Sequence, residues 1–200
     1  MGVNIAGLGT LAYHADVPIA GAGTFPAAMN LTAMLRGLVT ELVARGHRVR
    51  LFCNGSAEDA AAVEVLGADP LLAGAVATGD VEIGVSPKTG RELARLVASC
   101  SAVVGHRLHS CVVAYSYGVP IVGLAWDRKV GDFFASVGLG SFMVEDPLVR
   151  SVTVADRVEA AILRGVDPEA LAAVVKECRR GLQSAWEAGG LTVREGGPPS

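Results

Sequence analysis

Lysine, and charge in general, are scarce in this chain, and the balance of charge removes classes of function. Lys88, Lys129 and Lys176 are its only lysines, and Lys and Arg together number 17 against 20 acidic residues in 200. With a formal net charge of -3 and no run of basic residues, nucleic acid and anionic membrane are excluded as principal partners. No apolar run approaches the roughly 20 residues of a membrane span. The amino terminus also lacks a basic leader followed by an apolar block and cleavage site, so a cytoplasmic location is expected. Cys53, Cys100, Cys111 and Cys178 form no CxxC pair and no metal-ligand spacing, and all four are expected to be buried thiols in or beside apolar segments. No His/Asp/Glu cluster has ligand spacing either, so no metal is expected.

What the chain does have is apolar substance, 51 % of its residues, enough for a sizeable core. Short β-branched runs alternate with longer Ala/Leu/Val patterns, which implies an α/β fold with a Rossmann-like parallel sheet flanked by helices. Predicted strands are Val3–Ala6, Arg48–Cys53, Val81–Val85, Ala102–Gly105, Ile121–Leu124 and Phe142–Val144. Predicted helices are Ala27–Arg45, Glu58–Leu66, Thr89–Ser99, His109–Tyr117 and Val130–Val137, with two more closing the domain. Gly46, Gly118 with Pro120, and Gly138 punctuate helix ends, and Asp167-Pro168 opens a last helix reaching about Ala188. The expectation is one domain over residues 1–188 and a mobile tail over 189–200.

Leu8–Pro26 is a long connection after the first strand. Its Gly7-Leu8-Gly9-Thr10-Leu11-Ala12 formally matches a dinucleotide fingerprint, but Pro18 would interrupt a helix beginning there. The next strand ends in Cys53-Asn54 rather than in an acidic ribose ligand, so nicotinamide and flavin are not expected. The loop leaves the carboxyl edge of the sheet, where open parallel sheets bind ligands, and His14, Asp16, Thr24 and Asn30 could reach into that crevice.

Chemistry concentrates in Ala102–Lys129. There Gly105-His106-Arg107-Leu108-His109-Ser110 crosses from a strand to a helix start, a natural anion site because free N–H groups and the helix dipole both favour negative charge. In extended backbone, alternate side chains share a side, so Arg107 and His109 are expected to face together. Arg supplies a planar fork matched to phosphate or carboxylate, and His supplies a proton. Lys129 opens a helix, a poor place for a cation on dipole grounds and therefore a candidate for function. Asp127 is a helix cap or a ligand group, and Ser110 either caps the helix or donates to a phosphate.

This segment resembles the polysaccharide pyruvyl transferase family. The resemblance lies in a strand, Arg107-Leu108-His109, an apolar helix over Ser110–Tyr117, Gly118-Val119-Pro120, a strand, and Asp127-Arg128-Lys129. His106 and Trp126 depart from the pattern, standing where Met and Tyr are expected. The resemblance implies one half of a GT-B-like architecture, with phosphoenolpyruvate as donor substrate and no other cofactor. A pyruvyl ketal would pass to a sugar of a cell-surface polysaccharide or its precursor. Arg107, Leu108, Ser110, Asp127 and Lys129 would hold substrate, with Arg107 and His109 catalytic and His109 the general acid. Because family members are about twice as long, a partner domain or a second copy of the chain is expected to complete the cleft. Leu139, Phe142 and Met143 or the helix Leu31–Val43 are candidates for the face it would cover. Two other readings stand beside this one: a GT-B glycosyltransferase domain using a nucleotide sugar, and a non-catalytic binding subunit or degenerate remnant.

Overall fold

Six short apolar runs pair into one parallel sheet in the computed structural model, which describes residues 1–7, 25–84, 86–124, 128–145 and 150–189. The strands are β1 (Gly2–Asn4), β2 (Val49–Phe52), β3 (Val81–Ile83), β4 (Val103–Gly105), β5 (Ile121–Leu124) and β6 (Met143–Val144). Helices α1 (Phe25–Ala44), α2 (Ala57–Gly67), α3 (Ala73–Thr78), α4 (Gly90–Ala98), α5 (Leu108–Ser116), α6 (Arg128–Ser136) and α7 (Ser151–Arg164) connect or follow them. Every residue of β1, β4 and β5 is buried, as befits strands covered by helices on both faces.

The sheet order is β3-β2-β1-β4-β5-β6. The chain builds outward from β1 through β2 to β3, then returns to the other side of β1 to begin β4. This reversal opens a crevice at the carboxyl ends of β1 and β4, the position where doubly wound sheets bind ligands. Register fixes the crevice: Asn4, last in β1, lies between Phe52 of β2 and Gly105 of β4.

Helix ends follow local chemistry. Ser56 caps α2 by accepting from the Asp59 N–H, and Thr89 caps α4 by accepting from the Glu92 N–H while the Glu92 carboxylate accepts from the Lys88 N–H. Gly118 and Gly138, just past α5 and α6, hold φ of +70° and +69°, the left-handed backbone that lets a chain leave a helix without a Cβ clash. Most elements differ from the predicted ones by only one or two residues at either end. The helix α3 was not predicted, and the reason is physical: none of its residues is buried, so it carries no apolar period.

Two packing expectations are corrected. Leu139, Phe142 and Met143 are buried, and Leu35, Leu38, Val39 and Leu42 of α1 are buried where that helix packs against α7, so these faces are covered by the chain itself. Cys53 and Cys111 are buried as expected, but Cys100 is half-buried and Cys178 exposed, because the helix bearing Cys178 buries none of its residues. That helix, α8 (Pro168–Ala188), lies in a second unit that begins at Asp167, whose side chain caps it. Residues 1–166 form the first unit. No helix among the described residues is long and apolar enough to cross a membrane.

Candidate active site

Arg107 is the N-cap residue of α5, with extended backbone (φ -92°, ψ 129°), and Leu108 is already helical. Strand alternation therefore stops at Arg107, and the step to His109 follows the helix at about 100° per residue. The extended backbone that would set the two side chains on one side does not reach His109. His109 is exposed on the first turn of α5, whereas the Arg107 side chain is only 17 % exposed.

The Arg107 guanidinium is engaged by Asp59. Its Nε donates to Asp59 Oδ2 at 2.9 Å and its Nη2 to Asp59 Oδ1 at 2.7 Å, a side-on bidentate pair. Asp59 belongs to the first turn of α2, is 1 % exposed, and also accepts from the Gly7 N–H at 2.7 Å. Gly7 has no Cβ to keep it away: a Cβ there would stand 2.6 Å from Glu58 Cγ. The backbone of Arg107 is fixed as well, its N–H donating to Asn4 Oδ1 at 3.0 Å.

A second polar layer supports the first. Asn4 Nδ2 donates to Asn54 Oδ1 at 3.0 Å, and Ser110 Oγ donates to the same oxygen at 2.5 Å. Asn4 and Ser110 are fully buried, so these bonds satisfy groups that would be costly to leave unpaired. Asn54 in turn borders a cavity of about 340 Å³ also lined by Ser86, Lys88, Thr89 and Leu93, beyond the ends of β2 and β3.

The sequence-predicted residues thus take different places. Arg107 and Ser110 belong to the buried network, while Leu108 is half-buried beside them. His109 and Lys129 are exposed on the first turns of α5 and α6. Asp127, Trp126, His14, Asp16 and Thr24 lie outside the described residues, as do the fingerprint glycine Gly9 and the Asn30 side chain. Sequence reasoning missed Asp59 and Asn54. Asn54 followed a predicted strand end, which is a usable signal, but nothing local distinguishes Asp59 from a residue of an ordinary acidic first turn.

His106 is buried between β4 and this network, and burial, reinforced by the neighbouring Arg107 charge against the opposing influence of Asp59, pushes its pKa down to about 4. Unfolded, it would titrate near 6.5, so between these values the unfolded chain holds more protons. Stability is therefore expected to fall as pH drops from about 6.5 towards 4, by on the order of 3 kcal/mol from this group. Urea unfolding at several pH values checks this against His106→Met, which should flatten the slope; equal slopes would remove the assignment.

Against known proteins, residues 86–128 match the polysaccharide pyruvyl transferase family. The matched stretch runs from the 340 Å³ cavity's wall through Arg107, Leu108 and His109 to the start of α6. No curated protein matches the chain. Among solved structures, a mutant of the O-GlcNAc transferase of Thermobaculum terrenum is similar at 21 % identity and a TM-score of 0.43, over 75 % of this chain. The chain spans 29 % of the length of that structure.

Proposed function

We propose that this chain is the donor-binding half of a polysaccharide pyruvyl transferase, which takes phosphoenolpyruvate and transfers its pyruvyl unit as a ketal onto two hydroxyls of a sugar. One observation carries the reading. An Arg held at both its backbone and its guanidinium stands at the β1/β4 crevice, two residues before a solvent-accessible His, inside the segment that matches the family.

Arg107 meets the phosphate or carboxylate of the donor, with Lys129 as a second cation. His109 delivers a proton to the methylene carbon of the enol, which leaves the adjacent carbon electron-poor. The two sugar oxygens bond to that carbon in turn, their protons being released, and its bond to the phosphate oxygen breaks. Fixed cations near the departing phosphate stabilise the charge that develops there. The acceptor side of the cleft belongs to a partner domain or second copy.

Calorimetric titration of the chain with phosphoenolpyruvate and, separately, with a nucleoside diphosphate sugar tests this. Phosphoenolpyruvate is expected to bind. Arg107→Ala, confirmed as folded by its amide spectrum, should weaken binding about 10- to 100-fold, the usual worth of a hydrogen bond to a charged group. Preference for the nucleotide sugar would replace this reading with a glycosyltransferase, and binding of neither by a folded chain would favour a non-catalytic domain.

A further inference from the structure

We infer that the cavity beyond the ends of β2 and β3 is a binding site for a monosaccharide-sized ligand bearing hydroxyl groups and one phosphate or carboxylate, recognised by Lys88, Asn54 and Ser86. These side chains are not those of the donor-site reading above, and β2 and β3 lie on the other side of β1 from β4.

The donors available to a ligand follow from a chain of hydrogen bonds whose direction is fixed at one end. The Arg107 backbone N–H can only donate, so the Asn4 atom that meets it is Oδ1 and the other end of that amide is Nδ2. Asn4 Nδ2 can only donate in turn, so the Asn54 atom that meets it is Oδ1, an acceptor that Ser110 Oγ also uses. Asn54 Nδ2, with two N–H groups, is therefore left without a partner among the described residues, and Asn54 lines the cavity. The Lys88 ammonium has no hydrogen bond or ion pair among the described residues either, and it brings the only charge to the described lining. Ser86 Oγ has Cys53 Sγ at 3.4 Å, a weak partner that leaves hydrogen-bonding capacity to spare.

The walls are built in advance of any ligand. Gly55 holds φ of +103°, and a Cβ there would stand 2.5 Å from the Pro87 carbonyl oxygen, so glycine is what lets the connections leaving β2 and β3 meet. The Cys53 and Ser86 side chains join the same two connections, and the Glu92 carboxylate holds the Lys88 N–H. At about 340 Å³ the cavity stands at the small end of ligand sites, which run from about 300 to about 1,000 Å³. Pro87 and Leu93 are buried and give the lining an apolar part, suited to the C–H face of a sugar ring. One ammonium matches one anionic group, and hydroxyls, which donate and accept, match the Asn54 N–H groups and the Ser86 hydroxyl. A purely apolar occupant would leave those donors unpaired.

The experiment titrates glucose 1-phosphate, glucuronate and glucose into the intact chain while backbone amide resonances are followed by NMR. Saturating shifts at Gly55, Ser86, Lys88 and Thr89 are expected with at least one of the two anions, and the tighter of them identifies the charged group. Glucose should bind about tenfold more weakly than that anion. Lys88→Gln should weaken the anion about tenfold and Lys88→Arg should restore much of the loss. Asn54→Asp keeps an oxygen for Asn4 and Ser110 but replaces the Nδ2 donor with an acceptor, so it should weaken binding by at least about tenfold. Binding of neither anion at millimolar concentration overturns the inference, as do shifts confined to Arg107, Leu108 and His109, or full affinity in Lys88→Gln or Asn54→Asp. If Asn54→Asp does not fold, the two Lys88 variants decide. Phosphoenolpyruvate titrated separately tests the donor site, so either reading can fail while the other stands.

Discussion

Asp59→Ala is expected to lower the free energy of unfolding by about 3–5 kcal/mol, the usual consequence of stranding one member of a buried ion pair. The carboxylate is 1 % exposed and its partner's side chain 17 % exposed, so little water is at hand to solvate the guanidinium left behind. The Gly7 N–H loses its acceptor at the same time, which adds an unsatisfied donor at the end of β1. Replacing both partners with apolar residues, as in Asp59→Leu with Arg107→Met, should recover most of the loss, because apolar packing at a buried site offsets a lost ion pair. Urea unfolding of the two single variants and the double variant measures this. A loss under about 1 kcal/mol for Asp59→Ala would show that Arg107 reaches solvent freely, contrary to the packing described.

Phe134→Ala should cost a similar amount, about 3–5 kcal/mol, for a different reason. Phe134 on α6 is fully buried, makes an edge-to-face contact with Phe133 at 5.7 Å between ring centroids, and lies directly beneath Gly123 of β5. A Cβ on Gly123 would stand 2.7 and 2.8 Å from Phe134 ring carbons and 2.4 Å from Met143 Sδ. Gly123 is therefore the hollow into which the ring fits, and Gly123→Ala alone should cost about 1–3 kcal/mol by overpacking. In the Phe134→Ala background the added methyl enters the vacated space, so the double variant should lose clearly less than the two single losses combined. Additive losses in a denaturant-based double-mutant cycle would mean that ring and glycine do not share one space. The packing also bears on the site, because Lys129 belongs to α6, the helix whose Phe134 ring packs against Gly123 of β5.

The chemistry of the site was only partly legible in advance. Arg107 and His109 stood out because two reactive residue types met at a strand-to-helix junction, a pattern confined to six consecutive residues. Their engagement could not be read in the same way. Arg107 lies 48 residues from Asp59 and 103 from Asn4 along the chain, and neither partner differs locally from the many Asp and Asn residues that cap helices or sit in turns. The expectation that Arg107 and His109 share a side rests on extended backbone through Leu108, whereas the chain turns helical at Leu108, one residue before the predicted start. His106 shows the converse: as a departure from the family pattern it was visible in the sequence, but its depressed pKa required knowledge of its burial.

Local composition by itself determined the α/β alternation, the sites of chain reversal at Gly118 and Gly138, and the junction bearing Arg107. Those features depend on propensity, periodicity and backbone freedom within a few residues. Tertiary structure alone decided that β1 lies between β2 and β4, that the apolar face of α1 is covered by α7, and that a carboxylate from α2 grips the guanidinium at the end of β4. These outcomes depend on which distant segments become neighbours when the sheet assembles, and a charge finds its partner only after that assembly has excluded water from both.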